Sequence, residues 1–204
     1  MFCSKNNKTN KKSVSYQSRC DLTDLMVNEI SHYKDLRNPQ YQWDCALPCN
    51  LKVGADCYVV NNALRNPFFY RRLTDKDKRR VKRIVNIVTS AINLSPLPHR
   101  VDLIKGVSPF PELKEYCKDA IVQDKAFGSY STTRAVADDY SEQNEDGEYI
   151  YFLLSLKEGD CALYIDEDES EYLLNPGNFF QVMDIQHEKI NGRKAIFYYL
   201  ALTT

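Results

Sequence analysis

The sequence contains no apolar run long enough to cross a bilayer. Its N-terminus also lacks the apolar core of a secretory signal peptide. There is no internal repeat and no low-complexity tract beyond the first residues. Net charge at neutral pH is -1, so no global field draws the chain to nucleic acid or anionic lipid. An even set of cysteines is missing: the seven present are Cys3, Cys20, Cys45, Cys49, Cys57, Cys117 and Cys161, irregularly spaced. Cys45, Cys49 and Cys57 form a C-x3-C…C cluster, but no fourth ligand stands near and the spacing is not a zinc ribbon's. Reduced thiols, a reducing working compartment and no metal are therefore expected. The opening "MFCSKNNKTNKKSVSYQSRC" has no acid, only Lys5, Lys8, Lys11, Lys12 and Arg19. Residues 1–20 are read as a flexible basic tail or a delivery signal.

What is present suits one α+β domain over residues 21–204. The chain has 204 residues, 43% of them apolar and 27% charged, ordinary for a protein with a core. Residues 21 to about 95 read as helical. Leu22, Leu25, Met26 and Ile30 recur at near-helical spacing behind Asp21, a candidate cap. "LKVGADCYVVNNALRNPFF" predicts a second helix ended by Asn66-Pro67. The clearest pattern follows Thr74, which can cap a helix with Asp75 and Asp77 in its first turn. Val81, Ile84, Val85, Val88, Ala91 and Ile92 then form an apolar stripe. From about residue 96 the character changes. "VDLIKGVS", expected to stop at Gly106, "EYIYFLLSL", "DCALYI", "YLLNPGNFFQVMDI" and "KAIFYYLALT" are short β-branched and aromatic runs between turns. Helices first and strands afterwards indicate an α+β fold.

One stretch concentrates charge against such a run. "DEDESEYLLNPGNFFQV" sets five carboxylates and a serine before Leu173 and Leu174. Glu169 and Glu171 are two apart, so in a strand they share a face. Side-by-side carboxylates repel, which predicts a cationic visitor; the plainer reading is a solvated acidic turn. A second stretch, "FGSYSTTRAVADDY", spaces Ser129 and Ser131 in the same way, as an edge strand also could. The run from Arg71 to Arg83 carries eight basic and two acidic residues. It is either the solvated face of the third helix or a patch for an acidic protein, nucleic acid or anionic lipid.

Taken in order, these motifs resemble the mono-ADP-ribosyltransferases of the arginine-serine-glutamate class, over roughly Tyr58 to Leu202. "YVVNNALR" (Tyr58 to Arg65) is similar to that family's Y-x-x-I-N-x-x-L-R helix, with Val60-Asn61 for the usual pair. "VDLIKGVS" corresponds to the strand that ends in arginine-glycine. "GSYST" corresponds to the serine-threonine-serine strand, with Tyr130 at the threonine position. "ESEYLLNPG" matches E-x-E-x-L-L-P-x-G through Glu169, Glu171 and Gly177, and "KAIFYYLAL" matches the closing strand in type.

The resemblance implies N-terminal helices packed on two antiparallel sheets that enclose an NAD cleft. Glu171 is implied to stabilise the charge that develops on the ribose as the N-glycosidic bond breaks. Glu169 would bind a guanidinium nucleophile or help deprotonate it. Ser129 and Ser131 would hydrogen-bond the carboxylate and the nicotinamide ribose. The segment "DDYSEQNEDGEY" corresponds to the loop over nicotinamide and phosphate, and Tyr164 to an aromatic of the recognition loop, or else a core tyrosine. One departure stands out: Lys105, before Gly106, occupies the arginine position. A lysine offers a phosphate only a point charge, where arginine offers a fork. Either Lys105 holds the pyrophosphate loosely, or Arg100 reaches in from the start of the strand, or the site is degraded.

The function expected is transfer of ADP-ribose from NAD to a target protein, arginine being the favoured acceptor, by an injected effector or intracellular toxin. NAD serves as substrate. ADP-ribosylation of nucleic acid, plain NAD hydrolysis and a non-catalytic binding module of the same fold remain open.

Overall fold

The apolar stripes build the helices where the spacing predicts them. The computed structural model describes residues 22–34, 43–44, 56–166 and 169–203. The basic tail, Asp21, Cys3, Cys20, Cys45 and Cys49 lie outside the described residues. Helix α1 (Asp24–Lys34) begins after Thr23, whose Oγ1 accepts the Met26 N–H at 3.3 Å. Thr23 thus takes the cap position that Asp21 was expected to hold. Helix α2 spans Asp56–Arg65 and ends where Asn66-Pro67 requires. Pro67 then opens a further short helix, α3 (Pro67–Arg72), with Asn66 Oδ1 accepting the Phe68 and Phe69 N–H groups. Proline fits a first helical position because its missing N–H has no intrahelical partner there. Helix α4 (Asp75–Asn93) starts at Thr74, whose hydroxyl accepts the Asp77 N–H.

The β half runs β1 (Val101–Val107), β2 (Ile121–Asp124), β3 (Gly128–Ser131), helix α5 (Arg134–Tyr140), then β4 (Tyr149–Leu156), β5 (Leu163–Asp166), β6 (Glu171–Leu174), β7 (Asn178–Ile190) and β8 (Arg193–Thr203). All eight strands join one sheet in the order β2-β7-β8-β4-β1-β3-β6-β5. The expectation of two antiparallel sheets gives way to a single mixed sheet, since β4 and β8 pair in parallel. That sheet is nevertheless nearly divided. Strand β1 pairs β4 along all seven of its residues, but meets β3 only at Ile104 opposite Ser131. Strands β3, β6 and β5 therefore splay from the rest.

Two apolar clusters line the sheet, and the first also takes in Tyr130 of β3 and Leu174 of β6. Leu103, Phe152, Leu154, Val182 and Leu200 belong to the core of the larger sheet, whereas Val59, Ile84, Val88 and Ile92 of the helices pack on Phe127, Leu163 and Leu173 of the splayed strands. Gly106 does not end β1 as expected; the strand continues to Val107. The residue is instead required by α5, because a Cβ there would stand 1.9 Å from the Ala137 carbonyl oxygen.

Charge also enters the helical core. The Arg80 guanidinium of α4 pairs with Glu29 of α1 and, at 2.7 Å, with Asp56 of α2, and both acids are buried. Removing one partner of a buried pair strands the other charge. Arg80→Met is expected to cost about 3–5 kcal/mol in equilibrium urea unfolding. Exposed Arg79→Met on the same helix should change stability by less than about 0.5 kcal/mol.

Candidate active site

The paired serines and paired glutamates meet through strand register. In the β3–β6 ladder Ser131 stands opposite Glu171, and Ser129 opposite Leu173. The Ser129 hydroxyl donates to Glu171 Oε1. Glu171 is only 2% exposed, a burial an ionised carboxylate tolerates only when donors and opposite charge attend it. Ser131 does different work. Its Oγ donates to the Glu169 backbone carbonyl at 2.6 Å and accepts the Thr133 N–H at 2.9 Å. It thereby ties the turn before β6 to the segment entering α5, and Ser170 takes a positive φ of 46° within that turn. Glu169 is partly exposed, and its Oε1 accepts the Tyr140 hydroxyl at 2.9 Å from the end of α5. Partial burial, aided by that bond to Glu169, pushes the Tyr140 phenol up to about 12, so it remains a donor at neutral pH.

The cationic side lies on β1, β2 and α2. Lys105 Nζ sits 3.7 Å from Asp124 Oδ2 and 5.2 Å from the centroid of the Tyr130 ring. Arg65, the last residue of α2, places Nη2 3.2 Å from Asp124 Oδ1. The Ala126 N–H also donates to Asp124 Oδ1, at 3.1 Å. Burial pulls the Lys105 ammonium below its ordinary range, against the upward pull of Asp124. For Asp124 burial acts upward, but Lys105, Arg65 and the Ala126 N–H outweigh it and hold the carboxyl below its ordinary range. Arg65 is 49% exposed and Lys105 22%, so the guanidinium is the more accessible of the two cations.

Arg100 does not join this group. It forks onto Asp102 at 3.1 and 2.9 Å and reaches Ser155, at the opening of β1. Tyr164 lies in β5 against Tyr172, ring centroids 5.1 Å apart. The segment corresponding to the nicotinamide loop begins inside α5 and continues through a turn at Asn144 and Gly147, closed by the Gln143–Tyr149 bridge. Gly177, with φ of 84°, donates its N–H to the Asp124 carbonyl at 2.7 Å and so fastens the turn after β6 to β2. Sequence reading missed Asp124, which occurs in no motif, and gave Arg65 no role although it closes the "YVVNNALR" helix. A cavity of about 350 Å³ lies elsewhere, lined by Arg134, Asp138, Tyr149, Tyr151 and Arg193 among others. None of Lys105, Ser129, Glu169 and Glu171 borders it. Among the described residues no group of histidine, cysteine and acidic side chains is placed to hold a metal.

No protein-family model matches the sequence, and neither does any curated protein. Solved structures do match the fold. Plx2a, an ADP-ribosyltransferase toxin from Paenibacillus larvae, superposes with a TM-score of 0.64 at 14% identity, over 90% of this chain and 88% of that one. The Clostridium limosum C3 exoenzyme gives 0.63 at 15% identity, over 92% and 89%. BECa, an ADP-ribosylating toxin of a C. perfringens binary enterotoxin solved with NADH, gives 0.62 at 13% identity, over 90% of this chain and 44% of that one. The chain therefore has the α+β fold of bacterial ADP-ribosyltransferase toxins.

If Ser131 ties the turn to α5, removing its hydroxyl should loosen both attachments. Ser131→Ala is expected to lose about 1–3 kcal/mol of stability. The Thr133 amide should exchange with deuterium faster while amides in β4 and β8 keep their protection, and equal Thr133 rates in both proteins would refute the assignment.

Proposed function

We propose that the protein transfers ADP-ribose from NAD to an arginine side chain of a target protein, acting as a toxin or effector. The observation that carries this reading is the Ser129–Glu171 contact across β3 and β6, with Glu169 two residues ahead on the same turn. It is supported by the fold shared with ADP-ribosyltransferase toxins, one of them solved with NADH. Glu171 is the carboxylate for the ribose. Positive charge grows there as the C1′–N bond to nicotinamide breaks and its electron pair leaves with nicotinamide. A fixed carboxylate answers that charge without reorganising. Ser129, donating to one oxygen, sets the carboxylate's orientation. Glu169, partly exposed at the turn, is the carboxylate for the acceptor in this reading: it binds the guanidinium and takes the proton lost when the new C1′–N bond forms. Arg65 and Lys105 supply the positive charge that suits the diphosphate, arginine with N–H groups beyond the one given to Asp124. Arg100, committed to Asp102, has no part in this scheme.

A nucleic-acid acceptor is the second reading, favoured by Arg79 and Lys82, which stand exposed on α4. Among the described residues no helix is long and apolar enough to cross a membrane.

The test combines purified protein, labelled NAD and cell lysate, followed by separate protease and nuclease digestion. Glu171→Gln should lower both nicotinamide release and labelling by about 10²–10³-fold. Glu169→Gln should abolish labelling of arginine acceptors yet spare slow NAD hydrolysis. Label removed by nuclease and resistant to protease would establish the second reading. Absence of both nicotinamide release and label from the wild type would leave a binding module.

A further inference from the structure

We infer that Asp124 is a positioning residue that clamps Lys105 beside Arg65, forming a two-cation seat for a diphosphate. The inference rests on the NAD reading above and explains how a lysine serves where arginine is expected. The geometry is specific. One carboxylate spans the two cations, giving Oδ1 to Arg65 and Oδ2 to Lys105. Its own position is fixed three ways: by the Ala126 N–H on Oδ1, by the pairing of Asp124 with Asn178 in β2–β7, and by the Gly177 N–H on its carbonyl. Without such a carboxylate the two cations would face each other and repel.

The groups that bear on Lys105 come from four elements. Burial is the largest influence and disfavours the ammonium; Arg65 of α2 adds to it. Asp124 of β2 is the main influence in the opposite direction, and Glu171 of β6 is a minor one. The Tyr130 ring of β3 offers a cation–π contact that also favours the charged form. A guanidinium at this position would stay charged without help, because its proton is not lost at any working pH. A buried lysine loses its proton far more readily, and a neutral amine holds a phosphate poorly. Asp124 therefore does for Lys105 what arginine does for itself.

The sign of the pH dependence follows. With asparagine at position 124, Lys105 keeps its burial penalty and its repulsion by Arg65 but loses its counter-ion, so its ionisation falls further. Diphosphate affinity should then be retained at low pH and lost as pH rises. Two measurements test this on the full chain. The first follows lysine Cε resonances of 13C-lysine protein through a pH titration, the Lys105 signal being identified by its loss in Lys105→Arg. The Lys105 midpoint should be lower in Asp124→Asn than in the wild type; equal midpoints would overturn the assignment.

The second measures binding of NAD and of inorganic pyrophosphate by calorimetry between about pH 6 and pH 9. Taken as a ratio to the wild type at each pH, which cancels the ligand's own ionisation, the affinity of Asp124→Asn for both should fall as pH rises, by up to about tenfold for each unit by which the Lys105 midpoint drops. Asp124→Asn combined with Lys105→Arg should restore a flat profile. A merely structural role for Asp124 would give uniform weakening at every pH, with no rescue by arginine, and would overturn the inference. A wild type that binds pyrophosphate with the expected profile but not NAD would refute the NAD reading and leave the seat standing. Failure to bind either would overturn both.

Discussion

Burying the Glu171 carboxylate is the constraint on which the rest of the site depends. An ionised acid at 2% exposure is costly unless donors and opposite charge surround it. The β3–β6 register meets the first need by bringing the Ser129 hydroxyl to one oxygen. That register in turn depends on apolar residues, because Leu173 and Leu174 sink into separate clusters and permit no slip of one residue. Ser131 then spends its hydroxyl on the backbone rather than on a ligand, and the turn bearing Glu169 is held by it. Glu171, Glu169 and the serine pair are thus one mechanical unit of two short strands and a turn.

The same rule governs the protein's other buried charges. Arg80 among Glu29 and Asp56 and Lys105 beside Asp124 each place a cation in low dielectric with its counter-ion supplied by a different element. In the first case the ions join three helices and face no ligand. In the second they border a splay in the sheet, and one partner, Arg65, is half exposed. Similar chemistry is closed over by its surroundings in the first group and partly open in the second, where Arg65 is 49% exposed.

Legibility in the sequence followed the range of the forces involved. Thr74 as a cap, the α4 stripe, the stop at Asn66-Pro67 and the strands around Gly106 and Glu171 are set by neighbours within a few residues, so spacing exposes them. The serine pair was readable for the same reason, two residues apart on β3; Glu169 instead lies in the turn before β6, where Ser170 takes a positive φ, so the glutamates do not share a strand face as expected. Strand β2 escaped because "IVQD" is too short to show a period, and its partner β7 lies more than fifty residues on. The parallel β4–β8 pairing was equally hidden, since the side chains of both strands suit an antiparallel neighbour as well. Asp124 had no local signature at all: its role comes from Arg65 and Lys105, each distant in sequence. Arg100 misled for the converse reason, since its distance from the site is plain only once its fork onto Asp102 is seen.

Charge separation across the sheet ties these points together. Lys105 on β1 and Glu171 on β6 flank β3, two strand spacings or about 9.5 Å apart at the backbone. At that separation they do not pair with each other; of the groups that favour the Lys105 ammonium, Glu171 is the weakest. Had the lysine met the glutamate directly, each would have quenched the other. The Ser129–Ser131 strand between them acts as a spacer as well as a donor. The single pair of Ile104 and Ser131 keeps that spacer attached to β1. A longer β1–β3 ladder would stabilise the sheet but bring the two flanks into register and fill the splay with backbone pairing.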